Sequence, residues 1–410
     1  MMTTSITNAR IFDGERILDA RTVTVDGTRI QAVGQEPPAG AAVFDAQGST
    51  LLPGLIDSHV HTSLEALQAA LPFGVTTELE MQGYWTSEQR KEIAENDEIA
   101  DVRSALLALM APGGHPSEFV AELSDDDKPG GEGWTMPSVS TPEEAVAYVN
   151  ARVAEGADYI KVMIEEGTVM GHPKLPMIST ETLQAGVAEA HRLGKKVIAH
   201  ALTLAATEQA IAVGVDGLAH LFIDQPHTQQ IVAAIADAGL FVTPCLVVSS
   251  SLMGNNAAAL AGDPRVSSRL SPQWLDTLRG SFAKYPEGDL KHVQATVAAL
   301  RDAGVDILAG TDSSMPVPSH GGVAHGASVH HEMRLLVQAG LTPAEALRAA
   351  TSVPARVFDL ADRGRITPGA RADLLLVDGD PTAHIDDSLS IRGVWRRGRR
   401  LPQPGGTGQQ

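Results

Sequence analysis

The sequence predicts an α/β fold, namely a distorted TIM (β/α)8 barrel with a small β-sandwich domain built from both chain ends. Three observations support this. The middle of the chain alternates apolar strands with amphipathic helices, and β-patterned segments occur at both ends. The 410 residues also exceed the roughly 250 that one barrel needs.

The chain ends carry the period-two alternation of half-buried strands. Residues 5–12 and 21–26 alternate apolar and polar side chains, and Asp26-Gly27 predicts a hairpin turn into residues 29–34. Residues 372–377 and 391–395 have the same character near the other end. We therefore expect one discontinuous β-sandwich domain formed by residues 1–55 and 364–401. The tail, residues 402–410, is rich in Gly, Pro and Gln and is expected to be disordered.

Residues 56–363 have the βα alternation that is typical of a parallel sheet. The predicted helices are 180–193, 204–213, 228–238 and 293–303. The predicted strands are 51–52, 75–79, 105–109, 159–164, 196–200, 217–220, 240–244 and 306–310. Eight strands favour a closed barrel over an open sheet. Residues 82–104 and 112–140 are polar and irregular, so we expect long loops over the barrel mouth.

Composition excludes several functions. The formal net charge of −19 disfavours binding to nucleic acid or to an anionic membrane surface, both of which need clustered Lys and Arg. Cys245 is the only cysteine, so no intrachain disulfide can form. Neither a signal peptide nor an apolar run of about 18 residues is visible, and we expect a cytoplasmic protein. A small molecule is the expected partner, and assembly into a homo-oligomer stays open.

Residue types that bind metals recur where predicted strands end. His59 and His61 follow an apolar run, and two residues apart on a strand their imidazoles share a face. His200, His220 and Asp312 each end a later strand. Singly, each has an ordinary alternative as a core histidine or a turn residue. Together they favour a metal site, because a barrel has no structural need for such groups at successive strand ends.

Lys161 interrupts the apolar strand at residues 159–164. Burial of a lysine lowers its pKa and favours the neutral amine. A neutral amine can add CO2 to give a carbamate, whose two anionic oxygens can bridge two cations. The alternative is a solvated lysine side chain.

Several segments resemble the amidohydrolase superfamily. Residues 53–61 (PGLIDSHVH) are similar to its first-strand signature, and residues 156–163 (GADYIKVM) to its carboxylated-lysine strand. Residues 197–200, 217–220 and 309–312 resemble its later ligand strands, and residues 367–377 its return to the β-sandwich. The resemblance runs from about residue 6 to residue 386. It is closest to the imidazolonepropionase-like branch, which includes prolidase-like dipeptidases.

The resemblance implies a binuclear site with two divalent metal ions, Zn2+ being expected. His59, His61 and Asp312 would hold the first metal, and His200 and His220 the second. Carboxylated Lys161 would bridge them, with a hydroxide as the other bridge. Asp312 would also be catalytic, carrying the proton from the attacking hydroxide to the leaving nitrogen.

Four residues are candidates for substrate binding. His115 lies in a Gly-Gly-His loop of the kind that lines the pocket in this branch. Tyr84, beside Trp85, could form an apolar wall. Glu165 departs from the small residues usual in the branch, and it could face either the pocket or water. His325 is the favoured member of a histidine group after Asp312, which comprises His320, His325, His330 and His331.

The implied function is hydrolysis of a C–N bond in an amide, a peptide-like compound or a cyclic amide. A lactonase, esterase or phosphoesterase on the same site is the alternative, because the metal centre does not discriminate among these substrates. A non-catalytic homologue is disfavoured, since all six ligand positions are filled.

Overall fold

A computed structural model of the protein describes residues 3–122 and 135–402. The expected disordered tail beyond residue 402 and part of the expected loop at 112–140 lie outside these ranges. The strands, numbered in chain order, are β1 (Thr4–Thr7), β2 (Arg10–Ile11), β3 (Val23–Asp26), β4 (Arg29–Val33), β5 (Ala42–Asp45), β6 (Thr50–Pro53), β7 (Leu55–Val60), β8 (Val75–Glu80), β9 (Asp101–Ser104), β10 (Ile160–Met163), β11 (Val197–His200), β12 (Gly217–Ala219), β13 (Phe241–Thr243), β14 (Leu374–Val377), β15 (Ile391–Arg396) and β16 (Arg399–Arg400).

The α-helices are α1 (Leu64–Ala70), α2 (Ser87–Glu95), α3 (Ser117–Glu122), α4 (Pro142–Ala154), α5 (Thr180–Arg192), α6 (Leu204–Val213), α7 (Gln229–Asp237), α8 (Leu246–Leu252), α9 (Ala258–Gly262), α10 (Pro264–Ser267), α11 (Pro272–Arg279), α12 (Leu290–Asp302), α13 (Ala327–Gln338), α14 (Pro343–Ala349) and α15 (Ser352–Val357). Short 3-10 helices lie at Leu71–Phe73, Thr168–Met170, Pro318–His320 and Ile385–Leu389. None of the helices in the described ranges has the length and apolar character that crossing a bilayer requires.

Polar caps fix where the helices begin. At α4, the hydroxyl of Thr141 accepts a hydrogen bond from the backbone N of Glu144, whose carboxylate accepts one from the backbone N of Thr141. This reciprocal capping box satisfies two backbone donors at the helix start. Helix α6 begins after Thr203 and ends at Gly214, whose φ of 79° suits glycine. The helix predicted at 204–213 is thus confirmed.

The two chain ends build two sheets. One has the order β4-β3-β1-β5, and the other has the order β16-β15-β14-β6-β2. Strand β14 pairs antiparallel with β6, so that Leu375 lies opposite Leu52. The second sheet therefore combines strands from both ends of the chain. Apolar side chains of the two sheets share one buried cluster, which includes Ile6, Val25 and Leu374.

The middle of the chain forms parallel sheets with the orders β7-β8-β9 and β10-β11-β12-β13. Isolated parallel bridges also link Leu109 with Val162, Val242 with Ile307, and Val60 with Ser313. The strand predicted at 306–310 is an extended segment that makes only the Ile307 bridge to its neighbour, rather than a regular strand.

Residues 51–52 are not a strand of the parallel sheets. They lie in β6, which pairs with β14, while the first parallel strand is β7. Gly54 separates the two strands, and its backbone N donates to the carbonyl of Asp373. Both strands are completely buried, so their apolar runs could not indicate which sheet each one joins.

The prediction that residues 82–104 form an irregular loop was also wrong. This segment contains helix α2, with a capping box between Thr86 and Gln89, and strand β9. The expected strand at 105–109 is irregular, because Leu106 has a φ of 56°, a left-handed value that ends an extended strand. Strand β9 escaped detection because it begins with Asp101, a buried carboxylate that pairs with Arg363 and Arg371.

Candidate metal centre

Six polar side chains from separate segments line one cavity of about 240 Å³. They are the six predicted metal ligands: His59, His61, Lys161, His200, His220 and Asp312. Lys161 lies within β10 and His200 ends β11, whereas His220 directly follows β12. Parallel strands present their carboxyl ends at one edge of the sheet, and so these distant residues meet.

The carboxylate of Asp312 lies among three imidazoles. Its Oδ1 is 3.0 Å from Nε2 of His61 and 3.2 Å from Nε2 of His59, and its Oδ2 is 3.8 Å from Nε2 of His220. Burial opposes ionisation, but the hydrogen bond with His61 and the interactions with His220 and Lys161 hold the pKa of Asp312 well below its usual range. Asp312 is therefore a carboxylate at neutral pH.

The backbone at two of these positions is unusual. Asp312 has a φ of 56° and His220 a φ of 76°. Residues other than glycine rarely adopt such values, and those that do cluster at functional sites. The backbone strain therefore coincides with the cavity.

Three of the histidines are held in the neutral form. Burial is the main cause that lowers the pKa of His59, His200 and His220 well below the usual value. A neutral imidazole is the form that binds a metal. Among the residues that the structure describes, neither Nε2 of His59 nor Nδ1 of His220 has a hydrogen-bond partner, and both nitrogens are buried.

Lys161 is buried among these imidazoles, with 1% of its surface exposed. Its Nζ has no hydrogen-bond partner in the described part of the chain, and burial lowers the pKa of Lys161 to about 8. A charged ammonium left in this position would be costly. Orphaned nitrogens beside an ionised carboxylate are the donor set that divalent zinc and its neighbours prefer, so these residues fit a metal centre.

Cys245 was missed as a possible ligand. Its Sγ lies 3.6 Å from Nδ1 of His59. The potential ligand atoms of His59, His220 and Cys245 all lie within 4.8 Å of one another, as do those of His59, His61 and Asp312. Cys245 closely follows β13, so the strand-end argument that singled out His200 would also have found it.

Two of the four candidate substrate residues lie at or beside the cavity. His115 lines it, with its ring centroid 4.5 Å from that of His200. Nδ1 of His115 is 2.5 Å from Oε1 of Glu118, a partner that the sequence did not suggest. Glu165 does not line the cavity, but its Oε2 is 3.3 Å from Nε2 of His200.

The other two candidates do not line this cavity. Tyr84 and Trp85 line a separate hollow at the surface. The side chain of His325 is fully buried, with Nδ1 2.8 Å from Glu78 and Nε2 3.1 Å from the carbonyl of Ser314. The prediction that His325 lines the substrate pocket is therefore wrong, because its ring is buried and both ring nitrogens already have protein partners.

The part of the cavity away from the six side chains is largely apolar, which the sequence did not suggest. Its lining includes Phe119, Val120, Leu252, Phe282 and Met315, together with His320. Phe119 and Val120 lie four and five positions after His115, and Met315 lies three positions after Asp312. Leu252 and Phe282 come from segments that carry no local signal for a binding site.

Comparisons with known proteins identify the family to which the chain belongs. The profile of the Amidohydrolase family matches residues 50–401. The chain is 28% identical over 403 residues to an imidazolonepropionase from Cereibacter sphaeroides, covering 92% of this chain and 93% of that protein. It is 25% identical over 440 residues to an ochratoxinase from Aspergillus niger, covering 96% of this chain and 85% of that protein.

The fold is also similar to solved structures. A Xaa-Pro dipeptidase structure superposes with a TM-score of 0.74 at 20% identity, covering 98% of this chain and 100% of that one. At this identity the likeness shows a common fold. The family match, by contrast, spans most of the sequence, including all six cavity residues. The chain therefore belongs to the amidohydrolase family.

Proposed function

We propose that this protein is a binuclear metal-dependent hydrolase that cleaves a C–N bond in an amide, a peptide-like compound or a cyclic amide. The observation that supports the proposal is the convergence of four histidines, Lys161 and Asp312 on one cavity. Three buried nitrogens there, on His59, Lys161 and His220, have no hydrogen-bond partner among the described residues.

In this proposal His59, His61 and Asp312 would hold one divalent cation, and His200 and His220 would hold the other. Lys161, as a carbamate, would contribute a ligand oxygen to both. Zinc is the expected metal, because imidazole and carboxylate ligands suit it. When bound, the two cations would lower the pKa of a water molecule held between them and polarise the scissile carbonyl.

The chain's own residues handle the proton. Asp312 is ionised and lines the cavity, so it can accept a proton from the attacking water and deliver it to the leaving nitrogen. Water and the amide thereby become a carboxylic acid and an amine. His115 lines the cavity, and its contact with Glu118 orients its ring. In this proposal His115 contacts the substrate.

We further propose that the parallel strands close into a (β/α)8 barrel, residues 56–363. The three isolated bridges support closure, because they link Leu109 with Val162, Val242 with Ile307, and Val60 with Ser313. The two sheets from the chain ends would form the β-sandwich domain, residues 1–55 and 364–401, around their shared apolar cluster.

Metal analysis and a substrate panel test the proposed function together. Protein expressed with zinc should contain about two equivalents per chain, and His59→Ala should lose both metal and activity. His384→Asn is the control, because His384 is exposed and does not line the cavity. Less than about one equivalent of metal would contradict the binuclear site. Turnover of lactones or phosphoesters, with every amide left intact, would replace this proposal with the alternative chemistry.

A further inference from the structure

Three rings form one side of the cavity, and we name Phe119, Phe282 and His320 the aromatic wall. The rings of Phe282 and His320 are stacked, with centroids 5.3 Å apart and planes 7° apart. The ring of Phe119 meets that of His320 edge to face at 5.2 Å. Such pairs stabilise one another, so the wall is an ordered surface.

Hydrogen bonds hold Phe282 in place. Its backbone N donates to the hydroxyl of Ser251, 2.9 Å away, and that hydroxyl donates to the carbonyl of Gly321. The next residue, Ala283, donates from its backbone N to the carbonyl of Ser251. The loop that carries Phe282 is thus tied to helix α8 and to the segment after His320, so the wall is formed before any ligand arrives.

The cavity offers few partners for a charged substrate. Among the described residues that line it, the only charged groups other than histidines are Lys161 and Asp312. Both are assigned to the metal centre. Glu165, which could have recognised a cationic substrate, has a fully buried side chain directed to His200 and Gly167. A charged substituent against the rings of Phe119 and Phe282 would lose its hydration without gaining a counter-ion from either ring.

We propose that the cavity selects uncharged amides whose aromatic or aliphatic substituent packs against the aromatic wall. The inference rests on the proposed amide hydrolysis and specifies its substrate class. The volume of about 240 Å³ limits the substrate to a small molecule. Amides with a free carboxylate or ammonium on that substituent are poor substrates, because the rings of Phe119 and Phe282 carry no counter-ion for either charge.

Matched anilides test the selection. Butyryl, β-alanyl and succinyl para-nitroanilides share a leaving group and differ only at the end of the acyl chain, which is a methyl, an ammonium or a carboxylate. With the zinc-loaded enzyme, kcat/KM for the butyryl compound should exceed that for each charged analogue by at least about tenfold. The para-toluidide and para-aminobenzoate amides of butyric acid place the same methyl-to-carboxylate change on the amine side. The preference for the neutral compound should appear in whichever series, acyl or amine, places its varied group against the aromatic wall.

The Phe282→Ala variant tests whether the aromatic wall causes the preference for neutral substrates. It should lower kcat/KM for the preferred neutral compound about tenfold and reduce the ratio between neutral and charged substrates. Phe44→Ala is the matched control, since Phe44 packs on Trp395 in the sheets built from the chain ends. A preference for a charged analogue, or a neutral preference that Phe282→Ala leaves unchanged, overturns the inference.

A second readout separates this inference from the proposed function. If none of the anilides is hydrolysed, amide hydrolysis fails as the function, and the intact compounds can be titrated by calorimetry. Tighter binding of the neutral compounds, lost in Phe282→Ala, would still support selection by the wall. Equal binding of neutral and charged compounds, or no binding at millimolar concentration, would overturn it.

Discussion

Nε2 of His200 lies 3.3 Å from Oε2 of Glu165, and the side chain of Glu165 has no exposed surface. The other carboxylate oxygen accepts a hydrogen bond from the backbone N of Gly167, 2.6 Å away. Carboxylates that contact the second nitrogen of a metal-binding histidine fix its tautomer and ring orientation. Glu165 therefore contacts His200 and is shielded from water.

Glu165→Ala should weaken metal binding about 10–100-fold, because His200 loses the group that orients it. Glu165→Gln should weaken it less, since the amide oxygen can still accept a hydrogen bond. Competition with a chelator, followed by metal analysis, measures the affinity. Glu166→Gln is the control, because the carboxylate of Glu166 contacts only Thr168 among the hydrogen bonds in the described residues. Unchanged metal affinity with an increased KM would instead indicate a substrate-binding role for Glu165.

Lys161 should carry a carbamate in the metal-loaded protein, because an ammonium beside two divalent cations would be repelled. Protein loaded in the presence of carbon-13 bicarbonate should give a carbamate carbon resonance that Lys161→Ala lacks. The variant should also bind metal poorly, and short-chain carboxylates should restore part of that binding. A labelled signal of equal intensity in Lys161→Ala would show that the carbamate is elsewhere.

Asp312→Asn should reduce turnover far more than metal content. The amide oxygen can still bind a metal, but it cannot accept the proton. Loss of general acid–base catalysis typically costs 10²–10⁴-fold, which is roughly 3–5 kcal/mol. Wild type and variant should be compared on a poor amide and on an activated ester, with metal measured in parallel. The ester should suffer less, because its leaving group needs less protonation. An equal loss on both substrates with full metal would exclude Asp312 as the acid.

Asp101→Asn should lower the free energy of unfolding by about 1–3 kcal/mol, because two buried guanidinium groups each lose one of their carboxylate partners. Arg363 keeps its pair with Asp362, and Arg371 keeps its pair with Asp373. Oδ2 of Asp101 is 2.5 Å from Arg363 and 2.9 Å from Arg371, all three side chains being buried. Urea unfolding measures the loss. Asp306→Asn, which breaks the exposed pair with Arg356, is the control and should cost less than about 1 kcal/mol. Equal losses in the two variants would contradict a special role for the buried cluster.

The carboxylate of Asp101 also leads to a prediction about how stability depends on pH. Burial opposes its ionisation, but Arg103, Arg363 and Arg371 hold the pKa of Asp101 well below its usual range. A folded-state pKa below the unfolded value of about 3.9 contributes stability above that pH, and the contribution is lost as the pH falls further. Wild type should therefore lose more stability than Asp101→Asn between about pH 5 and pH 2. Parallel acid curves for the two proteins would contradict this.

Local pattern was sufficient to predict that six distant polar residues would line one cavity. Each of these residues belongs to or follows a short apolar strand, and the carboxyl ends of parallel strands converge wherever the strands are placed. Helix bounds were similarly predictable, because caps such as Thr203 and Gly214 lie within one turn of the helix that they end. Both signals are local in the sequence.

The rest depends on partners distant in the sequence. Strand β9 begins with Asp101, whose charge is matched by Arg363 and Arg371, so its pattern is that of a polar loop. The aromatic wall joins Phe119, Phe282 and His320 from three separate segments, and no periodicity relates them. His325 is a histidine, as are four of the predicted ligands. Its contacts with Glu78 and Ser314, which no sequence pattern indicates, hold its ring outside the lining of the cavity.

The pairing of β6 with β14 joins residues about 320 positions apart, with Leu51 opposite Leu376. A ribosome makes β6 early and β14 much later. For most of translation, one edge of this fully buried leucine strand therefore has no hydrogen-bonding partner, and such an edge is open to pairing with other nascent chains. Translation products that end between β13 and β14 would keep this unpaired edge of β6 permanently. The parallel strands β7 to β13 would already have neighbours in such products.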